Sequence, residues 1–132
     1  MDKEWKVIFY KNEYGECPVE DFISSLPENN SDKMWISIKY LEDIGINLRR
    51  PQGDYLRDGI YELRVKLSGK QTRTLYYFCF EEYIILTHTF IKNTNGVPEA
   101  EINRSLLYKQ DFLNRFNKNN IGDEYVSRFR NI

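Results

Sequence analysis

The chain has 132 residues, about one domain's worth, and its 41 % apolar and 15 % aromatic content is ample for one packed core, which excludes wholesale disorder. Nineteen Lys and Arg against twenty Asp and Glu leave a formal charge of −1, which excludes a globally basic nucleic-acid coat but not a local basic patch. Cys17, Cys79 and one histidine form no CxxC or HxxxH pair, so neither a metal site, a disulfide scaffold nor a cofactor is expected.

Trp5 to Tyr10 is β-branched and aromatic, and Asn12-Glu13-Tyr14-Gly15 follows it, so the segment reads as a strand and a turn. Pro18 suits the first position of a helix, whose apolar stripe is Val19, Phe22, Ile23 and Leu26 and which Pro27 ends. A second helix is expected to start after Asn30 or Ser31, with Met34, Trp35, Ile38, Leu41 and Ile44 as its stripe and Gly45 as its stop. Residues 46–59 carry Pro51, Gly53 and Gly59 without a clear period and read as loop. Tyr61, Leu63, Val65 and Leu67 then alternate with Glu62, Arg64 and Lys66, the period of a strand. Thr72–Phe80 and Tyr83–Ile91 are nearly continuous apolar runs, joined at Glu81-Glu82, that suit strands covered on much of both faces. After a break at 93–96, Pro98 opens a last helix with the stripe Ile102, Leu106, Leu113 and Phe116. Residues 117–122 are a polar break, and 123–132 fit one amphipathic turn through Tyr125, Val126 and Phe129.

The order β-α-α-β-β-β-α predicts an α+β domain with helices packed on one face of a mainly antiparallel sheet, over residues 1–116, with 117–132 as a tail. The N-terminus lacks a signal-peptide pattern, and no apolar run approaches the roughly 20 residues of a membrane helix. A cytoplasmic protein without a membrane partner is the expectation.

Charge is unevenly spread: residues 1–48 balance to −5, residues 49–73 to +4, and the remainder to zero. A central basic segment suggests a local polyanion site. The hairpin turns say where those bases go. A turn centred on Gly69-Lys70 sets Lys66 opposite Arg73 and Leu63 opposite Tyr76, and a Glu81-Glu82 turn sets Leu75 opposite His88 and Arg73 opposite Phe90. Glu62, Arg64, Lys66, Arg73, Leu75, Tyr77, His88, Phe90 and Lys92 then share one open face, while Tyr61, Leu63, Val65, Thr74, Tyr76, Phe78, Ile85 and Thr87 face the helices. Clustered Arg and Lys suit phosphate, with Arg57, Lys66 and Lys70 as further contacts and Tyr77, Phe90 and Tyr108 as rings for unpaired bases. The alternative is structural: Glu62 pairs with Arg64 or Lys66, and His88 is a satisfied histidine at a sheet edge.

Three motifs in order carry a family resemblance: Leu56-Arg-Asp-Gly59-Ile-Tyr61-Glu62-Leu63-Arg64, then Arg73-Thr-Leu75-Tyr76-Tyr77-Phe78, then His88-Thr-Phe90-Ile-Lys92-Asn-Thr94 with Pro98 and Glu101-Ile102. Over roughly residues 5–116 the chain resembles the HigB-type, phage-derived branch of the RelE/ParE toxins, although Thr89 stands where a glycine is common in that branch. The resemblance implies a compact RelE-like fold and the toxin of a type II toxin–antitoxin pair, with a helix-turn-helix antitoxin through which alone it would meet operator DNA. It also implies metal-independent cleavage of messenger RNA on the ribosome, by attack of the ribose 2′-hydroxyl on the adjacent phosphate. Arg64 and Arg73 fit stabilisation of the transition-state charge, and Lys92 and His88 fit proton transfer. Two other readings stand beside it: a ParE-like toxin that binds DNA gyrase, and a non-catalytic RNA-binding regulator.

Overall fold

The computed structural model describes residues 4–124. The elements are β1 (Lys6–Phe9), α1 (Pro18–Ser24), α2 (Glu28–Ile44), β2 (Gly53–Arg57), β3 (Ile60–Leu67), β4 (Lys70–Cys79), β5 (Tyr83–Ile91) and α3 (Glu99–Arg115), with short 3-10 turns at Gly45–Asn47 and Gly122–Glu124. The five strands form one sheet in the order β1-β5-β4-β3-β2. Among the described residues, β1 with β5 is the one parallel pair, and the fold is α+β, with a mostly antiparallel sheet and three helices. The amphipathic turn expected over 123–132 lies, beyond Glu124, outside the described residues.

Helices cover both faces of the sheet, not one. On the first face α1 and α2 bury Val19, Ile23, Met34, Ile38 and Leu41 against Val7, Phe9, Leu63, Val65, Tyr76, Ile84 and Leu86. On the second, α3 buries Ile102 and Phe112 against Ile8, Ile60, Leu75, Tyr77 and Ile85, and Ile121 joins them. A sheet whose central strands are apolar on both sides needs cover on both sides, and a single layer of helices would leave Leu75, Tyr77 and Ile85 in water. Along α3 the deep position belongs to Phe112, and Leu113 turns outward at 39 % exposure. Helix α2 starts directly after Pro27, three residues earlier than its polar segment suggests, and its stripe takes in a carboxylate. Buried Glu42 accepts the Val7 N–H at 2.7 Å, which occupies an outward donor on the edge strand β1.

Two local features reset the strand register. The β3–β4 turn is Ser68-Gly69, with positive φ at both residues, so Arg64 sits opposite Arg73 and Lys66 opposite Gln71. Lys66 is therefore not opposite Arg73, nor Leu63 opposite Tyr76, but a shift of two residues keeps every side chain on its expected face. The β4–β5 pairing does set Leu75 opposite His88 and Arg73 opposite Phe90. A bulge follows: Tyr76 pairs with Leu86, so Thr87 is an extra residue. The bulge turns Ile85 to the α3 side and aims the Thr87 hydroxyl at Ser105 of α3, 2.7 Å away.

Candidate functional site: a cationic cleft

Residues 46–59, read as loop, contain β2, an edge strand that pairs with β3 from Gly53–Leu63 to Arg57–Ile60. That strand walls a cleft of about 380 Å³. Its floor is the buried pair Glu62 and Arg73 from β3 and β4, with Arg64 of β3 half-buried beside them; its second wall is Lys92 with Asn95, Gly96 and Val97, and its back Glu99 and Ile102 of α3. The Lys92 N–H donates to the Gln71 carbonyl at 2.7 Å, so the ladder runs one residue past β5 and carries Lys92 to the cleft. Of the expected site residues, the structure brings together Arg57, Arg64, Arg73 and Lys92.

Charge decides what the cleft can hold. Five cations line it (Arg50, Arg57, Arg64, Arg73 and Lys92), with three carboxylates (Asp54, Glu62 and Glu99). Arg50 holds Asp54 at 2.7 Å and Arg57 holds Glu99, with Asp58 and Asn103 as further partners. Arg50 also keeps the Asp54 carboxyl below its ordinary range. Arg73 lies against Glu62, Nε to Oε1 2.9 Å, with side-chain exposures of only 2 % and 7 %. One of its terminal nitrogens, Nη1, donates to the Thr72 carbonyl at 2.9 Å. Burial pushes the Arg73 guanidinium down, with Glu62 opposing, and a guanidinium remains charged through such a shift. Arg64 and Lys92 have no ion-pair partner among the described residues. The cleft therefore offers two unpaired cations above a buried, charged floor, an arrangement that attracts a phosphate.

The remaining expected residues lie elsewhere. His88 is 1 % exposed beneath α3 and does not line the cleft. Its Nδ1 is 3.1 Å from the Thr87 hydroxyl and its Nε2 3.4 Å from Glu101 Oε1. Burial first, and Arg104 second, push its pKa down to about 4, so the ring is neutral at pH 7. Tyr77 is fully buried, edge-on to Phe112 and under Lys109, with its hydroxyl pushed up by burial. Phe90 packs against the His88 ring, and Tyr108 stacks on Tyr10 at 4.5 Å with Arg104 donating to its hydroxyl. The open face expected around these rings is occupied by α3. Lys66 and Lys70 are exposed at the β3–β4 hairpin, away from the cleft.

Sequence reasoning missed Arg50, Asp54, Asn95 and Glu99. Arg50 and Asp54 went with the unrecognised strand β2, for which the tyrosine and leucine at 55–56 between charged residues were the available signal. The pairing of Glu62 with Arg73, rather than with Arg64 or Lys66, follows from the register: Glu62 faces Leu75, and Arg73 is its diagonal neighbour on the same side.

The cleft lies wholly within or beside the segment that carries the chain's relationship to known proteins. No curated protein matches the chain. A family model, phage derived protein Gp49-like (DUF891), matches residues 21–106, well over half of the chain and every strand that lines the cleft. The chain belongs to this phage-derived Gp49-like family, a family of toxin–antitoxin toxins.

Proposed function

We propose that the chain is a HigB-type toxin with a RelE-like arrangement, acting in the cytoplasm as a metal-independent endoribonuclease on ribosome-bound messenger RNA. The observation that carries this reading is the pair of unpaired cations, Arg64 and Lys92, in one cleft with Arg73 beneath them. An RNA phosphate seated there meets Arg64 as a fork for two of its oxygens. The 2′-oxygen of the preceding ribose attacks phosphorus in line, and the bond from phosphorus to the 5′-oxygen breaks, leaving a 2′,3′-cyclic phosphate and a free 5′-hydroxyl. Negative charge grows on the non-bridging oxygens as this happens, where Arg64 contacts it and Arg73 adds its field from the floor. In this reading Lys92 gives a proton to the departing 5′-oxygen, while the 2′-hydroxyl proton leaves to water through the open cleft. His88, neutral and sealed under α3, is left with a structural role. Membership of the family implies an antitoxin partner, which we take to be of the helix-turn-helix kind.

Incubation of the purified chain with a single-stranded RNA, with and without ribosomes, tests the chemistry. The products should carry cyclic phosphate and 5′-hydroxyl ends, and a 2′-deoxy substitution at the cut position should abolish cleavage because it removes the nucleophile. Cleavage that survives the deoxy substitution would refute this mechanism, and gyrase-dependent DNA breaks without RNA cleavage would favour the ParE-like reading.

A further inference from the structure

A second concavity, of about 340 Å³, opens between α2 and β3 and is lined by Ile36, Ser37, Tyr40, Gln52, Leu63 and Arg64. Its helical wall is apolar on the wrong side. Ile36 and Tyr40 are 70 % and 45 % exposed, and Ile44 is 36 % exposed. Spaced four residues apart, they form an outward stripe on a helix whose inward stripe of Met34, Ile38 and Leu41 already fills the core. A solvated helix gains nothing from a second apolar stripe, and such a patch marks a surface that something covers. The one charged residue among those that line the groove is a cation. Arg64 lines it without a carboxylate partner, and Lys33 reaches from α2 to the Lys66 carbonyl of β3. Neither Lys33 nor Lys66 has an ion-pair partner among the described residues, whereas Lys39 is held by Glu42 and Asp43.

We propose that this groove docks the antitoxin, through a segment that seats a bulky apolar side chain between Ile36 and Tyr40 and sets carboxylates against Arg64 and Lys33. The proposal rests on the chain's place in a toxin–antitoxin family for the partner, and on the groove for its chemistry. Arg64 lines both the groove and the cationic cleft. A carboxylate drawn to Arg64 from the groove side removes one of the cleft's two unpaired cations, so the partner lowers the attraction for phosphate without entering the cleft.

The test is titration of the full chain with the protein encoded beside it, followed by calorimetry, for the parent and for Ile36→Glu, Tyr40→Glu and Leu107→Glu. Leu107 is 66 % exposed on α3, and all three positions are open enough to accept Glu without unfolding, which circular dichroism checks. Ile36→Glu and Tyr40→Glu should each weaken binding about 30-fold or more, the effect of losing an interface anchor, and Leu107→Glu should leave it within about twofold. Equal binding by all four chains, no binding by the parent, or loss confined to Leu107→Glu would overturn the proposal. So would a parent dimer that Ile36→Glu dissociates while antitoxin affinity is unchanged. The readout is binding alone, so a failed ribonuclease assay leaves this result standing, and a failed titration leaves the ribonuclease reading standing.

Discussion

Replacing Glu62 by Leu should destabilise the fold far more than an ordinary charge removal. The Glu62 and Arg73 side chains are 7 % and 2 % exposed, and their charges meet at 2.9 Å. Deleting one member leaves the other charged and without its counter-ion in the protein interior, at a cost of about 3–5 kcal/mol. Against the roughly 5–15 kcal/mol by which a domain of this kind is stable, that is a large fraction. With a urea dependence of about 2 kcal/mol per molar, the unfolding midpoint should fall by about 1.5–2.5 M. Arg73→Met should fall by a similar amount, so the truncation Arg73→Ala is a poor probe of catalysis: its buried guanidinium has a core role that an exposed charge would not have. The double variant Glu62→Leu/Arg73→Met removes both charges and should recover most of the loss, because a buried ion pair replaced by apolar groups of similar size is near neutral. Urea denaturation followed by circular dichroism on the three variants closes the cycle. Additive losses, with the double variant as unstable as the two singles combined, would refute the idea that the pair acts as a unit.

The other expectations are read on separate observables. Arg64→Ala and Lys92→Ala, at half-buried positions without ion-pair partners, should keep the parent's unfolding midpoint and lose on the order of a hundred- to a thousandfold in cleavage rate, measured under single-turnover conditions. Arg64→Ala should also flatten the dependence of log affinity on log salt for single-stranded RNA by about 0.7, one phosphate contact's worth, and an unchanged slope would remove Arg64 from the phosphate site. His88 should make stability depend on pH. Its folded pKa of about 4 lies below the ordinary 6.5, so the unfolded chain binds more protons between those values. The His88 contribution, about 3 kcal/mol, is complete above pH 6.5 and lost as pH falls toward 4, and His88→Gln should abolish that slope in denaturation series from pH 4.5 to 7.5.

The strands β3 to β5 were legible because alternation at Tyr61–Leu67 and two apolar runs leave few other ways to fold. What was not legible came from local backbone choices. Ser68 takes a positive φ of 48°, a conformation that glycine adopts more readily, so Gly69 alone misplaces the turn by one residue and the pairing by two. The extra residue Thr87 opens the polar triplet Thr87-His88-Thr89, which marks both faces alike within an otherwise apolar run, so the bulge left no trace in the pattern. Burial of His88 and Tyr77 follows from α3 crossing the second face, which the same run permits but does not demand. For the site, the convergence of Arg64, Arg73 and Lys92 was readable from strand parity alone, since it survives the two-residue shift. The mutual burial of Glu62 and Arg73 was not, because parity gives the face of a side chain and not its depth.

The most direct measurement of the central claim is a map of RNA 5′ ends in cells after a short pulse of expression of the parent chain or of Lys92→Ala. The account predicts new 5′-hydroxyl ends inside messenger RNAs within minutes for the parent, and their absence for Lys92→Ala at equal protein level. Growth arrest by the parent with no new RNA ends, or identical ends from both chains, would contradict it.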